Sequence, residues 1–182
     1  MEPLISTEDP ERPAMGQGSH NFTNVQLARY VAAIANKGTV FELSILDKLT
    51  DSKGNLIEDY TPEISSHIDA ADTTWDTVHQ GMRAVIAQGS ARSIFSDLEV
   101  EIAGKTGTAQ ESGNRPNHAF FISYAPYDNP EICVTVNIPY GYSSSNAANI
   151  AKNVYRYYYG FTDLETIKNT GAMDAANVNI RD

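Results

Sequence analysis

The sequence is short of cysteine, of basic residues and of long apolar runs. Its single cysteine, Cys133, has no partner for an internal disulfide. The chain has 13 lysines and arginines against 23 aspartates and glutamates, a formal net charge of −10, which argues against nucleic acid or an anionic membrane surface as a partner. No apolar run approaches the roughly 20 residues that span a membrane, so we expect neither a membrane helix nor a signal peptide in this sequence.

What remains is the composition of an ordinary soluble domain. The chain has 182 residues, of which 41% are hydrophobic and 20% charged, and this length is sufficient for one domain with a core. The last stretch is polar and has few large apolar residues. We therefore predict one domain over residues 1–162 and a weakly ordered tail over residues 163–182.

The strongest functional signal lies around Lys105, in the run Ala103–Gln110, AGKTGTAQ. A short alternating apolar run, Leu98–Ala103, leads into it, and a second apolar run, Ala119–Ala125, follows a polar, turn-rich segment, Glu111–Asn117. This pattern predicts a strand, a connection and a second strand, with Lys105 on the first strand.

Each residue of the Lys-Thr-Gly run has something to offer a ligand on a strand edge. Lys105 supplies a cation for a carboxylate, and Thr106 supplies a hydroxyl that donates or accepts a hydrogen bond. Gly107 has no side chain, so an extended ligand can approach the backbone closely.

Two other interpretations of this run remain. Three common residues also recur by chance in surface turns. Gly104-Lys105-Thr106 also matches the end of a phosphate-binding loop, but that motif needs a glycine five positions before Gly104, where the sequence has Glu99.

The periodicity of the chain predicts an antiparallel sheet flanked by helices, an α/β architecture of the α+β type. Apolar residues on both sides of the second strand imply that helices cover both faces of the sheet. The expected strands are Leu98–Gln110, His118–Ala125 and Glu131–Pro139, and the expected flanking helices are 74–87 and 146–159.

Further local signals predict smaller elements. A helix over Val25–Lys37 is capped by Thr23 or Asn24 and ends at Gly38. Asp72 or Thr73 is expected to cap the helix that begins near residue 74.

The remaining predictions concern a hairpin, a connector and the last long helix. The turn residues 51–55 predict a hairpin set off from the main sheet, and a connector follows over Thr61–Asp72. A serine among Ser143–Ser145 is expected to cap the last long helix. Cys133 is interpreted as a small buried hydrophobe. The residues expected on the buried side of the last long helix are Ala147, Ile150, Ala151, Val154, Tyr155 and Tyr158.

The order of these segments resembles the class B penicillin-binding proteins. Lys-Thr-Gly is one of the signatures of that family. Further matching segments are Trp75–Ser90 (WDTVHQGMRAVIAQGS), His118–Pro126 (HAFFISYAP) and the run after Gly16-Gln17-Gly18 (TNVQLARYVAAIANKG). The resemblance extends from about Met15 to Gly160, and it implies the C-terminal part of an incomplete penicillin-binding, serine β-lactamase-like transpeptidase fold.

The resemblance also implies roles for individual residues. Lys105 and Thr106 would bind the carboxylate of a peptidoglycan stem peptide or of a β-lactam, and Gly107 would let the substrate lie along the strand. Thr108 would supply a backbone N–H to the oxyanion hole. In the loop that borders the site, Arg115 and Asn117 are expected to be exposed to solvent rather than in contact with substrate.

The family implied by these segments attacks a D-Ala-D-Ala bond through an acyl-serine and needs no metal or cofactor. Its members are anchored by an N-terminal membrane helix and work outside the cytoplasmic membrane, and a membrane glycosyltransferase is the implied partner. Further strands of the fold would pair beside the third strand, so we expect self-association through Ile132–Ile138 if they are missing.

The family's nucleophile, in the motif Ser-x-x-Lys, is not in this sequence, because no serine has a lysine three residues later. Ser-x-Asn occurs at Ser19 and at Ser144, and we interpret both as chance matches. We therefore expect the chain alone to be inactive. The alternative is a non-catalytic interaction domain that keeps the fold.

Overall fold

The computed structural model describes residues 22–110 and 114–171. Its helices are α1 (Asn24–Ala35), α2 (Asp72–Ala87), α3 (Arg92–Phe95), α4 (Ser144–Tyr158) and α5 (Leu164–Gly171). Its strands are β1 (Thr39–Phe41), β2 (Lys48–Thr50), β3 (Leu56–Asp59), β4 (Ile64–His67), β5 (Ala103–Ala109), β6 (His118–Ala125) and β7 (Ile132–Ile138). None of the helices in this described part is long and apolar enough to cross a membrane.

The main sheet has three antiparallel strands in the order β5–β6–β7. The predicted strands and their antiparallel pairing are thus confirmed, except that the first strand begins at Ala103 and not at Leu98. Ala103 is paired with Tyr124, and β6 ends one residue later at Ala125. Residues 98–102 therefore have the alternating pattern of a strand but no neighbouring strand to pair with.

Helices cover both faces of the sheet, as the sequence predicted. On one face, α3 and α4 pack against Phe121, which is fully buried and stacks on Phe95 with ring centroids 5.4 Å apart. On the other face, α1 and Met82 of α2 pack against Ala103 and Tyr124, both fully buried. Neighbouring residues of one strand point to opposite faces, so Lys105, two positions after Ala103, belongs to the Tyr124 face.

The helix ends agree only in part with the predicted caps. Thr23 caps α1 in a capping box with Gln26, and Gly38 follows the helix with a φ of 106°, where its missing Cβ avoids the backbone of residue 68. Ser143 caps α4 by accepting a hydrogen bond from the backbone N–H of Ser145. The cap predicted at Asp72 or Thr73 is wrong, because α2 already begins at Asp72, after a residue that makes no side-chain cap.

Helix α4 buries a narrower side than its apolar pattern suggested. Ile150, Val154 and Tyr158 are exposed, which corrects their predicted burial. The buried residues are Ala147, Ala148, Ala151 and Tyr155. Three alanines let the helix backbone approach the sheet closely, and the larger side chains are then left outside the contact.

The segment between α1 and α2 forms two small sheets away from the main one. Strands β2 and β3 form the predicted hairpin around residues 51–55, and their residues are exposed. Strand β4 lies in the predicted connector and pairs with β1, which the sequence analysis missed. The two paired strands are far apart in the sequence, and β4 is exposed, so it has no alternating pattern to reveal it.

The predicted tail begins with regular structure. Helix α5 occupies Leu164–Gly171, and the carboxylate of Asp163 accepts a hydrogen bond from the backbone N–H of Thr166 at 2.7 Å. This N-terminal cap corrects the expectation of weak order for the first part of the tail. Residues 172–182 lie outside the described part of the chain.

Candidate functional site: the outer edge of strand β5

Strand β5 carries the whole Lys-Thr-Gly-Thr run on an edge of the main sheet. Lys105 to Thr108 pair with β6 on one side, in register with residues 119–122. On the other side no strand within residues 22–110 and 114–171 pairs with β5. An edge strand presents unpaired N–H and C=O groups, so this edge can accept an extended ligand.

Gly104 holds β5 tightly against its neighbour. A Cβ at this position would lie 2.8 Å from the ring of Phe121 and 2.9 Å from the backbone oxygen of Ile122. Gly107 has more room, since a Cβ there would meet only Cβ of Phe120, at 3.2 Å. The two glycines therefore differ: Gly104 is required by packing within the sheet, and Gly107 leaves a clear surface on the strand.

Lys105 is exposed, and no carboxylate in residues 22–110 and 114–171 neutralises its charge. Its ammonium donates to the backbone oxygen of Thr106 at 2.7 Å, and it forms no salt bridge with any residue in the described part of the chain. A single bond to a neutral carbonyl leaves two of the three ammonium protons for other acceptors. Lys105 is thus a cation whose unused donors lie at the strand edge.

Thr106 contacts a residue that the sequence analysis did not single out. Its hydroxyl oxygen lies 3.4 Å from the hydroxyl oxygen of Ser90, in the turn between α2 and α3. A serine after a helix-ending Gly89 is common in turns, so the sequence alone had no signal for this contact. Ser90 thus lies against the Thr106 hydroxyl.

A second group of polar side chains lies near the other end of β5. Arg115 Nη1 donates to Oη of Tyr140 at 3.2 Å, and the Tyr140 ring packs on the His118 ring with centroids 4.9 Å apart. His118 is paired with Ala109, the last residue of β5. Arg115 is exposed, as predicted. Asn117 is only partly exposed, which corrects its prediction, because the turn at residues 140–142 packs on it: its backbone oxygen accepts a hydrogen bond from the backbone N–H of Tyr142.

Two other residues considered in the sequence analysis, Asn146 and Cys133, have packing or hydrogen-bonding roles in the fold. Asn146, in the second Ser-x-Asn match, donates to the backbone oxygen of Gly141 at 2.8 Å at the start of α4. Ser19, in the first match, lies outside the described residues. The pKa of the Cys133 thiol is raised to about 11 by burial, so the thiol stays protonated at neutral pH, as a packed side chain would.

The described residues hold no group of three or more histidine, cysteine, aspartate or glutamate side chains placed for a metal ion. A cavity of about 410 Å³ lies away from β5, lined by residues 41–44, 46 and 60–63. The chemistry visible at β5 is therefore that of a cation, hydroxyls and free backbone groups.

The sequence that forms this sheet and its helices matches a known family. The family model of the penicillin-binding protein transpeptidase domain matches residues 11–156. The chain belongs to this family. Its relatives are class B penicillin-binding proteins, enzymes of peptidoglycan biosynthesis.

Two curated relatives illustrate the match. The peptidoglycan D,D-transpeptidase MrdA of Haemophilus influenzae is 34% identical over 79% of this chain and 25% of that protein. Penicillin-binding protein 2B of Streptococcus pneumoniae is 31% identical over 76% of this chain and 22% of that protein. The chain therefore spans about a quarter of the length of these relatives.

Solved structures agree with the fold. Penicillin-binding protein 2B of Streptococcus pneumoniae superposes with a TM-score of 0.76 at 29% identity, over 87% of this chain and 28% of that one. Pseudomonas aeruginosa PBP2, in complex with WCK 5153, superposes with a TM-score of 0.68 at 29% identity, over 93% of this chain and 35% of that one. The chain thus has part of a penicillin-binding transpeptidase fold, as its sequence predicted.

Proposed function

We propose that this chain is the substrate-binding part of a peptidoglycan D,D-transpeptidase that cross-links stem peptides through an acyl-serine. The single observation that carries the proposal is the outer edge of β5, where the exposed Lys105 ammonium donates only to the backbone oxygen of Thr106 among the described residues. Membership of the transpeptidase family supports it, and the MrdA relative is named for this activity.

Each residue of the strand has a role in the proposal. Lys105 attracts the carboxylate of a D-Ala-D-Ala peptide or of a β-lactam, and Thr106 donates a hydrogen bond to it. Gly107 leaves the strand surface clear for the ligand backbone. Thr108 supplies one backbone N–H of the oxyanion hole, where two fixed donors stabilise the charge that develops during acylation.

The nucleophile in this proposal comes from a longer protein. No serine of the sequence has a lysine three residues later, and a serine needs an adjacent base to attack an amide. The chain alone is therefore proposed to be inactive. It retains a weak carboxylate site, because one charge-assisted contact of about 1.5–3 kcal/mol gives millimolar or weaker binding once the entropy of association is subtracted.

The surroundings of the whole protein are also part of the proposal. A transpeptidase acts on peptidoglycan at the extracytoplasmic face of the bacterial cell membrane, and the partner proposed there is a membrane glycosyltransferase that supplies the glycan strands. The net charge of −10 disfavours direct attraction of this chain to an anionic membrane surface.

The alternative function is a non-catalytic interaction domain with the same fold. The absence of Ser-x-x-Lys favours it, whereas the exposed Lys105 argues against it, because a scaffold needs no unpaired cation on a strand edge. The two functions differ in what happens when a longer chain that contains Ser-x-x-Lys meets a β-lactam.

Labelling with a fluorescent penicillin tests the proposal. The chain by itself should give no labelled band at 19.9 kDa on a denaturing gel. A longer chain that includes the Ser-x-x-Lys segment should be labelled, and Lys105→Ala in that chain should be labelled at least about tenfold more slowly, because a carboxylate contact of about 1.5 kcal/mol is lost. Lys53→Ala, in the exposed hairpin turn, is the matched control and should be labelled at the normal rate.

Two outcomes would contradict the proposal. Labelling of Lys105→Ala at the normal rate would remove Lys105 from the site. A band from the chain alone, cleaved by hydroxylamine, would mean that it holds a nucleophile after all, and Ser19 would be examined first. A longer chain that takes no label would favour the interaction domain.

We also propose that the chain self-associates through β7. This strand pairs only with β6 in the described part of the chain, so its other edge has backbone groups without a strand partner. Within the part of the chain that the structure describes, the buried Thr135 hydroxyl and Asn137 side-chain oxygen of β7 have no hydrogen-bond partner, and buried polar groups normally have one. Light scattering over a concentration series should show dimers, and Val136→Pro should abolish them. A monomer at all concentrations would contradict the proposal.

A further inference from the structure

A cluster beyond Lys105 holds a guanidinium on an aromatic platform. It consists of Arg115, His118 and Tyr140 and is called the Arg115 cluster below. The guanidinium carbon lies 5.9 Å from the Tyr140 ring centroid, and Nη1 donates to the Tyr140 hydroxyl at 3.2 Å. The backbone N–H of Tyr140 donates to Nδ1 of His118 at 3.2 Å. Among the described residues, these contacts use one of the five guanidinium N–H donors and leave the other four for a ligand.

The turn that presents Tyr140 is strained. Tyr140 has a φ of 54° and Tyr142 a φ of 62°, both in the left-handed region that residues other than glycine rarely adopt. Gly141 between them leaves no space for a Cβ, which would lie 2.8 Å from the side chains of Ala119 and Ile138. Strain of this kind is maintained by surrounding packing and is concentrated at ligand sites.

The cluster lies on the same face of the sheet as Lys105. Lys105, Gly107 and Ala109 share a face of β5 because side chains alternate along a strand, and His118 is directly opposite Ala109. Lys105 and Ala109 are four residues apart, which is roughly 13 Å along an extended strand, and neighbouring strands are roughly 5 Å apart. The Arg115 cluster is therefore about four residues of extended peptide along β5 from Lys105 and on the β6 side of that strand, which is two strand spacings, roughly 10 Å, from a ligand on the outer edge.

Exposure along β5 decides the direction in which a ligand would run. Residues 102–104 are buried, whereas residues 105–110 are all exposed or partly exposed. A peptide whose terminal carboxylate is at Lys105 can extend only toward Ala109, and so toward the Arg115 cluster. Arg115, like Lys105, forms no salt bridge with any described residue, in a chain with a net charge of −10.

We propose that the Arg115 cluster is a second anion subsite of the β5 edge. It binds a carboxylate side chain that lies about four residues before the terminal carboxylate of an extended peptide. A long acidic side chain that reaches over the face of β5, together with the long Arg115 side chain, is needed to close this distance, so glutamate is favoured over a shorter acid. The inference rests on the proposed function, because it takes Lys105 as the anchor of the terminal carboxylate.

Peptide titrations followed by NMR test this subsite. The probes are acetyl-Glu-Ala-Ala-D-Ala-D-Ala and its Gln analogue, added to the ¹⁵N-labelled 182-residue chain. We expect both peptides to shift the amide signals of residues 105–109, and only the Glu peptide to shift the side-chain Nε signal of Arg115. The Glu peptide should bind about three- to tenfold more tightly, as one exposed charge-assisted contact allows.

Variants separate the two sites. Arg115→Gln should remove the preference for Glu and leave the Gln peptide unaffected, while Lys53→Gln, an equal change of charge in the hairpin turn, should leave both affinities unchanged. Arg115→Lys should retain only part of the preference, because a lysine lacks the planar fork of donors.

The outcomes distinguish the inference from the proposed function. Equal affinity for the two peptides, with shifts at residues 105–109, would overturn the subsite and leave the proposed function standing. Shifts confined to the Arg115 cluster would support an anion site there, overturn its link to Lys105 and contradict the proposed function. No shift anywhere with either peptide at millimolar concentration would overturn both.

Discussion

The main sheet and the small strands between α1 and α2 are both antiparallel, yet different forces maintain them. Strands β5 to β7 have seven or eight residues each and lie between helices, with Phe121 and Tyr124 fully buried on opposite faces. Strands β1 to β4 have three or four residues each, and no residue in them is buried. Only the main sheet has a hydrophobic core to stabilise it.

In the small strands, local hydrogen bonds take the place of a core. The carboxylate of Asp51 accepts from the side-chain amide of Asn55 and from the backbone N–H groups of Asn55 and Lys53, each at 2.8 Å, and these bonds hold the pKa of Asp51 below its ordinary value. Such a turn specifies where the chain reverses but contributes little to the stability of the whole domain. The comparison shows that paired strands are not enough to stabilise a region of this chain, because both regions have them and only the main sheet also has a buried core.

Truncating a large side chain in each region tests this contrast most strongly. Phe121→Ala removes a fully buried ring that stacks on Phe95, and we expect it to lower the free energy of unfolding by about 3–5 kcal/mol. Ile57→Ala, in β3, removes a side chain that is 61% exposed and should change the free energy of unfolding by less than about 0.5 kcal/mol. Urea unfolding of both variants measures the difference. Similar losses of unfolding free energy in the two variants would contradict this contrast, because the small strands would then contribute as much to stability as the core does.

Adding one methyl group should give a smaller effect, with a sign that depends on the site. Gly104→Ala forces a Cβ to within 2.8 Å of the Phe121 ring and should destabilise the chain by about 1–3 kcal/mol. Gly81→Ala, inside α2 with no atom within 4 Å of the new Cβ, should stabilise it by about 0.5–1 kcal/mol. Thermal melts should therefore shift in opposite directions. A neutral Gly104→Ala would show that β5 can move away from β6.

Alkaline pH should weaken the main sheet by the smallest of the three effects. Burial raises the pKa of Cys133 from 9.0 to about 11, so the folded chain keeps the thiol proton when the unfolded chain has already lost it. The stabilisation is complete below pH 9 and is lost as the pH rises from 9 to 11. Unfolding free energies measured at pH 8 to 10.5 should fall less steeply for Cys133→Ala than for the unaltered chain. Equal slopes would show that the thiolate is accommodated without cost.

The sequence predicted those parts of the fold that a pattern of neighbouring residues specifies. The alternation of residues 118–125 indicated a strand buried on both faces, and the turn at residues 51–55 indicated the hairpin, because each pattern reports its own surroundings. The pairing of β4 with β1 was missed, since two short exposed strands far apart in sequence have no pattern in common. The exposed side of α4 was misjudged at Ile150 and Val154, because periodicity identifies an apolar stripe but not which part of it reaches the sheet.

The residues of the candidate site are also of two kinds: some are adjacent in the sequence, and others come together only in the folded chain. Lys105, Thr106, Gly107 and Thr108 are consecutive, so one strand prediction was enough to bring them to one place, and their roles stay predictions. Ser90 lies 16 residues from Thr106, and Arg115 and Tyr140 are 25 residues apart. The sequence shows these residues but not their contacts.

By itself, therefore, the sequence determined where the β5 strand lies and which side chains it carries, because a run of adjacent residues and a family motif are read directly from the order of amino acids. Only the tertiary structure decided which edge of that strand is free, which face Lys105 shares, and that Arg115 lies on Tyr140 near the end of the strand. These facts depend on the pairing of β5 with β6 and on the turn at residues 140–142. Both arise from packing between segments that are distant in the chain, and no local pattern encodes such packing.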